Sequence, residues 1–110
     1  MPEEFERKNK VANYIKELGA EFLSKENNKT SLITVTGADC SPDLKRATVY
    51  ITVLPTSKEK TALEFAKRKR PEFRDFLKKN MTTKNIPFID FMIDLGEKNR
   101  QKIDELLRES

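Results

Sequence analysis

ATVYITVL, residues 47–54, alternates strictly: Ala47, Val49, Ile51 and Val53 fall on one side, and Thr48, Tyr50 and Thr52 on the other. Successive side chains of a strand point to opposite faces, so this stretch predicts a sheet with one apolar and one polar face. A sheet of that kind is covered by helices on one side only.

The flanking sequence supplies two more strands. Residues 32–38, LITVTGA, are β-branched and threonine-rich, with Gly37 marking a bulge or a close backbone contact. Between the two strands, Ser41, Pro42 and Asp43 read as a turn in which Pro fixes φ and Asp bonds neighbouring amides. In residues 88–94, Ile89, Phe91 and Ile93 face one way and Asp90, Met92 and Asp94 the other.

Helical periodicity fills the rest. Val11, Ile15, Leu18 and Phe22 form an apolar stripe that the polar cluster 24–31 is expected to end. Pro55 closes the strand at 47–54, and Thr56 and Ser57 read as the N-cap of a helix carrying Ala62, Leu63 and Ala66 inward. Pro71 has no amide and crowds the preceding turn, so it breaks that helix. The pattern resumes at once with Phe73, Phe76, Leu77 and Met81. A last helix, residues 97–108, offers Ile103, Leu106 and Leu107. The order is α-β-β-α-kink-α-β plus a C-terminal helix, an α+β fold with a three-stranded sheet covered by helices on one face.

Composition narrows the function. With 110 residues the chain reads as a single domain, residues 1–110. The one cysteine, Cys40, rules out an internal disulfide, suits a reducing cytoplasm, and reads as a small filler of the core. The absence of histidine removes serine and cysteine triads and leaves one thiol for any zinc site. Asp90 and Asp94 have no third ligand near them in sequence, so no metal or acid–base pair is expected there. No glycine-rich phosphate loop supports nucleotide hydrolysis, and no apolar run is long enough to span a bilayer. The expectation is a cytoplasmic monomer that is not an enzyme and uses no cofactor, small-molecule substrate or membrane.

The charge is concentrated. Residues 66–84, AKRKRPEFRDFLKKNMTTK, hold eight cations, Lys67, Arg68, Lys69, Arg70, Arg74, Lys78, Lys79 and Lys84, against Glu72 and Asp75. Because the net charge of the whole chain is only +4, the remainder is slightly acidic. Cations clustered about a helix break, with few i,i+4 acids among them, are the electrostatic footprint of a phosphate-backbone binder. These eight are the candidate RNA-binding residues. Arg7, Lys10, Lys45, Arg46 and Tyr50 are secondary candidates, Tyr50 as an aromatic on the open sheet face. Backbone positioning rather than base reading is expected, because the phenylalanines of this segment turn inward.

The strand–turn–strand block, Val35-Thr36, Ser41-Pro42-Asp43-Leu44 and Ala47-Thr48-Val49-Tyr50-Ile51, resembles that of the bacterial ribosome-binding factor A family. Arg7 followed by Lys10-Val11-Ala12 is similar to that family's opening. Arg74 and Leu77, then Pro87, Ile89, Phe91 and Asp94, and finally Ile103, Leu106 and Leu107 follow in the same order, over nearly the whole chain. The resemblance implies a type-II KH-like fold without the glycine-rich KH loop. In its place the family has a helix–kink–helix with Ala-x-Gly at the bend, where this chain has Lys69-Arg70-Pro71. It also implies a role in maturation of the small (30S) ribosomal subunit. That role comprises binding 16S rRNA in the immature particle, supporting 5′-end processing, and acting on a subunit that assembly GTPases also use. A KH-like protein-interaction module, with the basic patch incidental, is the alternative.

Overall fold

Arg46–Leu54 (β2) is the middle strand of three, with Leu32–Cys40 (β1) antiparallel on one side and Phe88–Ile93 (β3) parallel on the other. The computed structural model describes residues 3–26, 31–82 and 85–97. In those residues the chain runs Glu3–Glu26 (α1), β1, β2, a 3₁₀ turn at Thr56–Lys58, Glu59–Arg68 (α2), Arg70–Asn80 (α3) and β3. The expected α+β order is the one found. An antiparallel pair closes through a tight hairpin, whereas the parallel step from β2 to β3 needs a crossover, which α2 and α3 provide. The C-terminal helix expected at 97–108 lies, but for Glu97, outside the described residues.

The alternation of β2 is realised. Ala47, Val49, Ile51 and Val53 are buried, and Thr48, Tyr50 and Thr52 on the other face are half-buried. β1 reaches the same core through a change of parity. Val35 pairs with Ile51 and Gly37 with Tyr50, so Thr36 is a bulge residue with no partner in register. Before the bulge Ile33 and Val35 face the core; after it Ala38 and Cys40 do. One extra residue flips every later side chain, and without it Cys40 would point outward. Gly37 thus marks a bulge and not a close contact, since a Cβ there would meet nothing within 4 Å. Thr36 is tied down by its hydroxyl, which donates to Asp94 Oδ2 (2.5 Å) and lies 3.3 Å from Tyr50 O.

α1 lies over this sheet with Val11, Ala12, Ile15, Phe22 and Leu23 buried and Leu18 half-buried. It runs through Glu26, further than the polar cluster from Ser24 suggests. Lys25 holds the last turn by pairing with Glu21 one turn back (3.2 Å) and by lying over the Phe76 ring (5.6 Å). An aromatic chain joins three elements through the core: Phe76 to Phe22 at 5.7 Å, Phe22 to Phe73 at 5.1 Å, and Phe73 to Phe91 at 5.6 Å between ring centroids. Tilted ring pairs at these distances add about 0.5–1.5 kcal/mol each beyond the area they bury.

Thr56 and Ser57 are not an N-cap. They form the 3₁₀ turn, closed by Lys58 N–H donating to Pro55 O at 2.9 Å, and α2 starts at Glu59 without a side-chain cap. The turn supplies the end of α2 with backbone partners of its own, which makes a hydroxyl cap unnecessary.

Candidate nucleic-acid interface

The helix break sits at Lys69, two residues before Pro71. Pro71 occupies the first turn of α3, where a missing N–H costs the new helix nothing. The cost falls on α2, because residue 71 would otherwise donate to Lys67 O. Arg70 supplies the bond instead, its side-chain Nε donating to Lys67 O at 3.0 Å. Lys69 N–H caps α2 on Phe65 O and Ala66 O, and Lys69 O opens α3 by accepting from Phe73 N–H at 2.9 Å. The elbow is therefore a bonded corner built from Lys69, Arg70 and Pro71.

The elbow abuts the start of the edge strand β3. Phe88 N–H donates to Lys45 O at 2.8 Å, and Phe88 pairs in register with Arg46. Two cations of the elbow meet an acid of that strand: Arg70 Nη1 lies 3.3 Å and Lys67 Nζ 3.9 Å from Asp90 Oδ1. Three adjoining depressions surround this corner. One of about 500 Å³ is lined by Lys67, Arg68, Arg70, Pro71, Arg74 and the segment 87–89. A second, of about 610 Å³, runs between Arg7 and Val11 of α1, the hairpin residues Asp43, Leu44 and Lys45, Arg74, and residues 85–88. The third, of about 520 Å³, is bounded by Lys45, Arg46, Ala47, Thr48, Phe88 and Asp90.

The structure thus brings Lys67, Arg68, Arg70 and Arg74 together with Arg7, Lys45 and Arg46, which come from α1 and from the hairpin and the start of β2. Against these seven cations stand Asp43 and Asp90. Lys78 is one turn beyond Arg74 on α3 and continues its row, while Lys79 follows Asp75 on a neighbouring row. Lys69 lies over the Phe65 ring at 5.9 Å. Lys84 is outside the described residues. Lys10, exposed on α1, and Tyr50, half-buried on the open sheet face, line none of the three depressions. Lys8, next to Arg7, is engaged by Asp39 at 3.7 Å.

The hairpin loop that presents Lys45 and Arg46 is internally braced. Ser41 Oγ donates to Asp43 Oδ1 (2.6 Å) and accepts from Arg46 N–H (3.0 Å), and Lys45 N–H also donates to Asp43 Oδ1 (3.1 Å). These bonds, the Ser41 hydroxyl first, hold the Asp43 carboxyl below its ordinary range. Leu44 adopts φ 60°, the left-handed region, so the loop reverses within few residues. Asp43 is the structural turn residue its position suggested. Asp90 and Asp94 have structural partners as well: Asp94 Oδ1 accepts from Glu97 N–H at 3.0 Å, as a helix N-cap does.

Phe88 is what sequence reasoning missed. Phe73 is fully buried and Phe76 half-buried, as expected, but Phe88 is 57% exposed and borders all three depressions. The signal was present in the alternation: if Ile89 and Phe91 face the core, Phe88 at the mouth of the same strand cannot.

A family model described as Ribosome-binding factor A matches residues 7–107. The Ribosome-binding factor A of Geotalea uraniireducens is 32% identical over 108 residues, spanning 96% of this chain and 88% of its own length. The crystal structure of ribosome-binding factor A from Thermus thermophilus superposes with TM-score 0.71 at 21% identity, over 78% of this chain and 94% of that one. Coordinates of the Thermus protein fitted into a cryo-EM map of a 30S complex give TM-score 0.69 at 21% identity, over 78% and 93%. Those two likenesses are of fold, and the sequence matches carry the kinship: the chain belongs to the ribosome-binding factor A family.

Proposed function

We propose that this chain binds the small ribosomal subunit during its maturation, holding 16S rRNA by its phosphates in the cationic cleft at the elbow. The observation that carries the reading is the convergence of seven Lys/Arg from four elements on one corner of a protein of this family. The Thermus relative fitted into a 30S complex supports the choice of partner. Phosphate contacts from flexible Lys and forked Arg fix register on folded RNA without reading bases. Support of 5′-end processing and of late assembly, alongside GTPases on the same subunit, belongs to this proposal, as does monomeric, non-catalytic action in the cytoplasm.

Sucrose-gradient sedimentation tests it: the protein should travel with free small subunits and not with joined ribosomes. Neutralising four to six phosphates should lower affinity by roughly two to three decades between 50 and 200 mM salt. Charge reversal of Lys45, Arg68 and Arg74 should abolish co-sedimentation while leaving the fold intact, and cells lacking the protein should accumulate 16S precursors. A flat salt response, or association that survives nuclease, would point to protein docking in place of rRNA.

A further inference from the structure

We infer that Phe88 is a stacking platform for one unpaired RNA base, the place where this cleft engages nucleic acid by more than its phosphates. The inference rests on the RNA reading of the cleft and adds a class of ligand to it, a single-stranded nucleotide.

The ring is exposed, yet its root is fixed. Pro87 before it and Ile89 after it are buried, and its N–H is bonded to Lys45 O at 2.8 Å. A ring held in this way loses little freedom when a base lies on it. Arg70 lies over it, with Cζ 5.6 Å from the ring centroid, and is itself anchored by Lys67 O and Asp90. Guanidinium and ring form a cation–π pair, and a base would add to that stack on the exposed part of the ring, as bases stack on aromatic side chains in single-strand binders. Lys45, Arg46, Arg68 and Arg74 line the depressions that Phe88 borders, within reach of the phosphates before and after a stacked base. An apolar protein segment would find the same ring but no use for the surrounding cations, so charge selects a polyanion. A base inside a duplex cannot offer its face to the ring, because both its faces are already stacked on its neighbours, so the nucleotide is unpaired.

The chain contains no tryptophan, so Phe88→Trp places its one tryptophan, excitable apart from the two tyrosines, at the site. The probes are penta-adenylate and a blunt twelve-base-pair RNA duplex, titrated into the full chain and into Phe88→Trp, Phe88→Leu and Phe88→Ala. Penta-adenylate should quench the tryptophan. The Leu and Ala variants should bind the single strand roughly five- to a hundredfold more weakly. Their duplex affinity should stay within twofold of the parent, and Phe88→Leu, which keeps the apolar bulk, controls for folding. Unquenched tryptophan at saturation, equal losses on both RNAs, no loss on the single strand, or no binding of penta-adenylate by the parent would each overturn the inference. Co-sedimentation with small subunits separates this result from the wider reading: Phe88→Leu that still co-sediments but shows no single-strand defect removes the stacking site and leaves the phosphate-binding role standing.

Discussion

Arg70 and Asp90, twenty residues apart, meet at 3.3 Å where the α2–α3 elbow touches the edge of β3, and the same guanidinium serves Lys67 O through Nε. Asp90 also draws in Lys67 at 3.9 Å and accepts from its neighbour Phe91 N–H at 2.9 Å. One acid therefore restrains two of the cations that the sequence offers to RNA. Both groups of the pair are more than a third exposed, so it contributes only about 0–1 kcal/mol to stability. Asp90→Asn should fold as well as the parent and release both cations. Subunit affinity should rise by roughly severalfold, and the slope of log affinity against log salt should steepen by about one phosphate contact. Weaker binding by this variant would show that Asp90 holds Arg70 in its working position.

The local periodicities carried most of the fold, because they are set by burial on one face of each element. The alternation at 47–54, the stripe from Val11 to Phe22 and the phenylalanines after Pro71 all lie as their spacing required. What the periodicities could not show was juxtaposition. The charge cluster was legible as a run in residues 66–84, yet three of the seven cations of the cleft are Arg7, Lys45 and Arg46, which meet the elbow only once β3 pairs with β2. The restraint of Lys67 and Arg70 by Asp90 was hidden for the same reason. Inside the run, only the row from Arg74 to Lys78 followed from helical geometry alone.

The hairpin loop should respond to acid. Ser41 and Lys45 donate to the Asp43 carboxylate and lower its pKa in the folded state. A group so lowered stabilises the fold at pH values above the ordinary carboxylate range and loses that contribution as pH falls through the lowered value. The Lys45 amide shift, followed by NMR, should titrate with a midpoint below the roughly 3.9 of a free aspartate. Asp43→Asn should abolish that titration; a midpoint at or above the ordinary value would contradict the bonding described.

Gly19 lies inside α1 facing the core, where a Cβ would meet Phe73 Cζ at 3.5 Å and Val49 Cγ1 at 3.6 Å. These are ordinary contacts, so the position has room for a methyl group. Alanine also costs less backbone entropy in a helix. Gly19→Ala should stabilise the protein by about 0.5–1 kcal/mol in urea unfolding. A loss of stability would mean that α1 and β2 approach more closely than this geometry allows.

Cys40 is 2% exposed at the end of β1, and its thiol is pushed up in pKa, by burial first and by the neighbouring Asp39 second. It stays protonated and shielded at neutral pH, so a thiol reagent should label it only at the rate of unfolding. Cys40→Ser, which places a hydroxyl in the same apolar site, should cost about 1–3 kcal/mol. Rapid labelling of the native protein would show that the bulge at Thr36 does not keep Cys40 turned inward.

Pro71 decides how the elbow is bonded. With Pro71→Ala the new N–H can donate to Lys67 O, displacing Arg70 Nε from the acceptor it now holds at 3.0 Å. The substitution also restores freedom to the unfolded chain, at a cost of about 0.4–1 kcal/mol. Arg70 would then be held by Asp90 alone and would move more freely over Phe88, from which it now stands 5.6 Å. The expected result is a small fall in stability and a larger fall in single-strand RNA affinity, rescued by neither Arg70→Lys nor added charge elsewhere in the cleft. Lysine has no planar fork to lie beside a ring. An affinity unchanged in Pro71→Ala would mean that the bond to Lys67 O shapes the corner without positioning Arg70 for RNA.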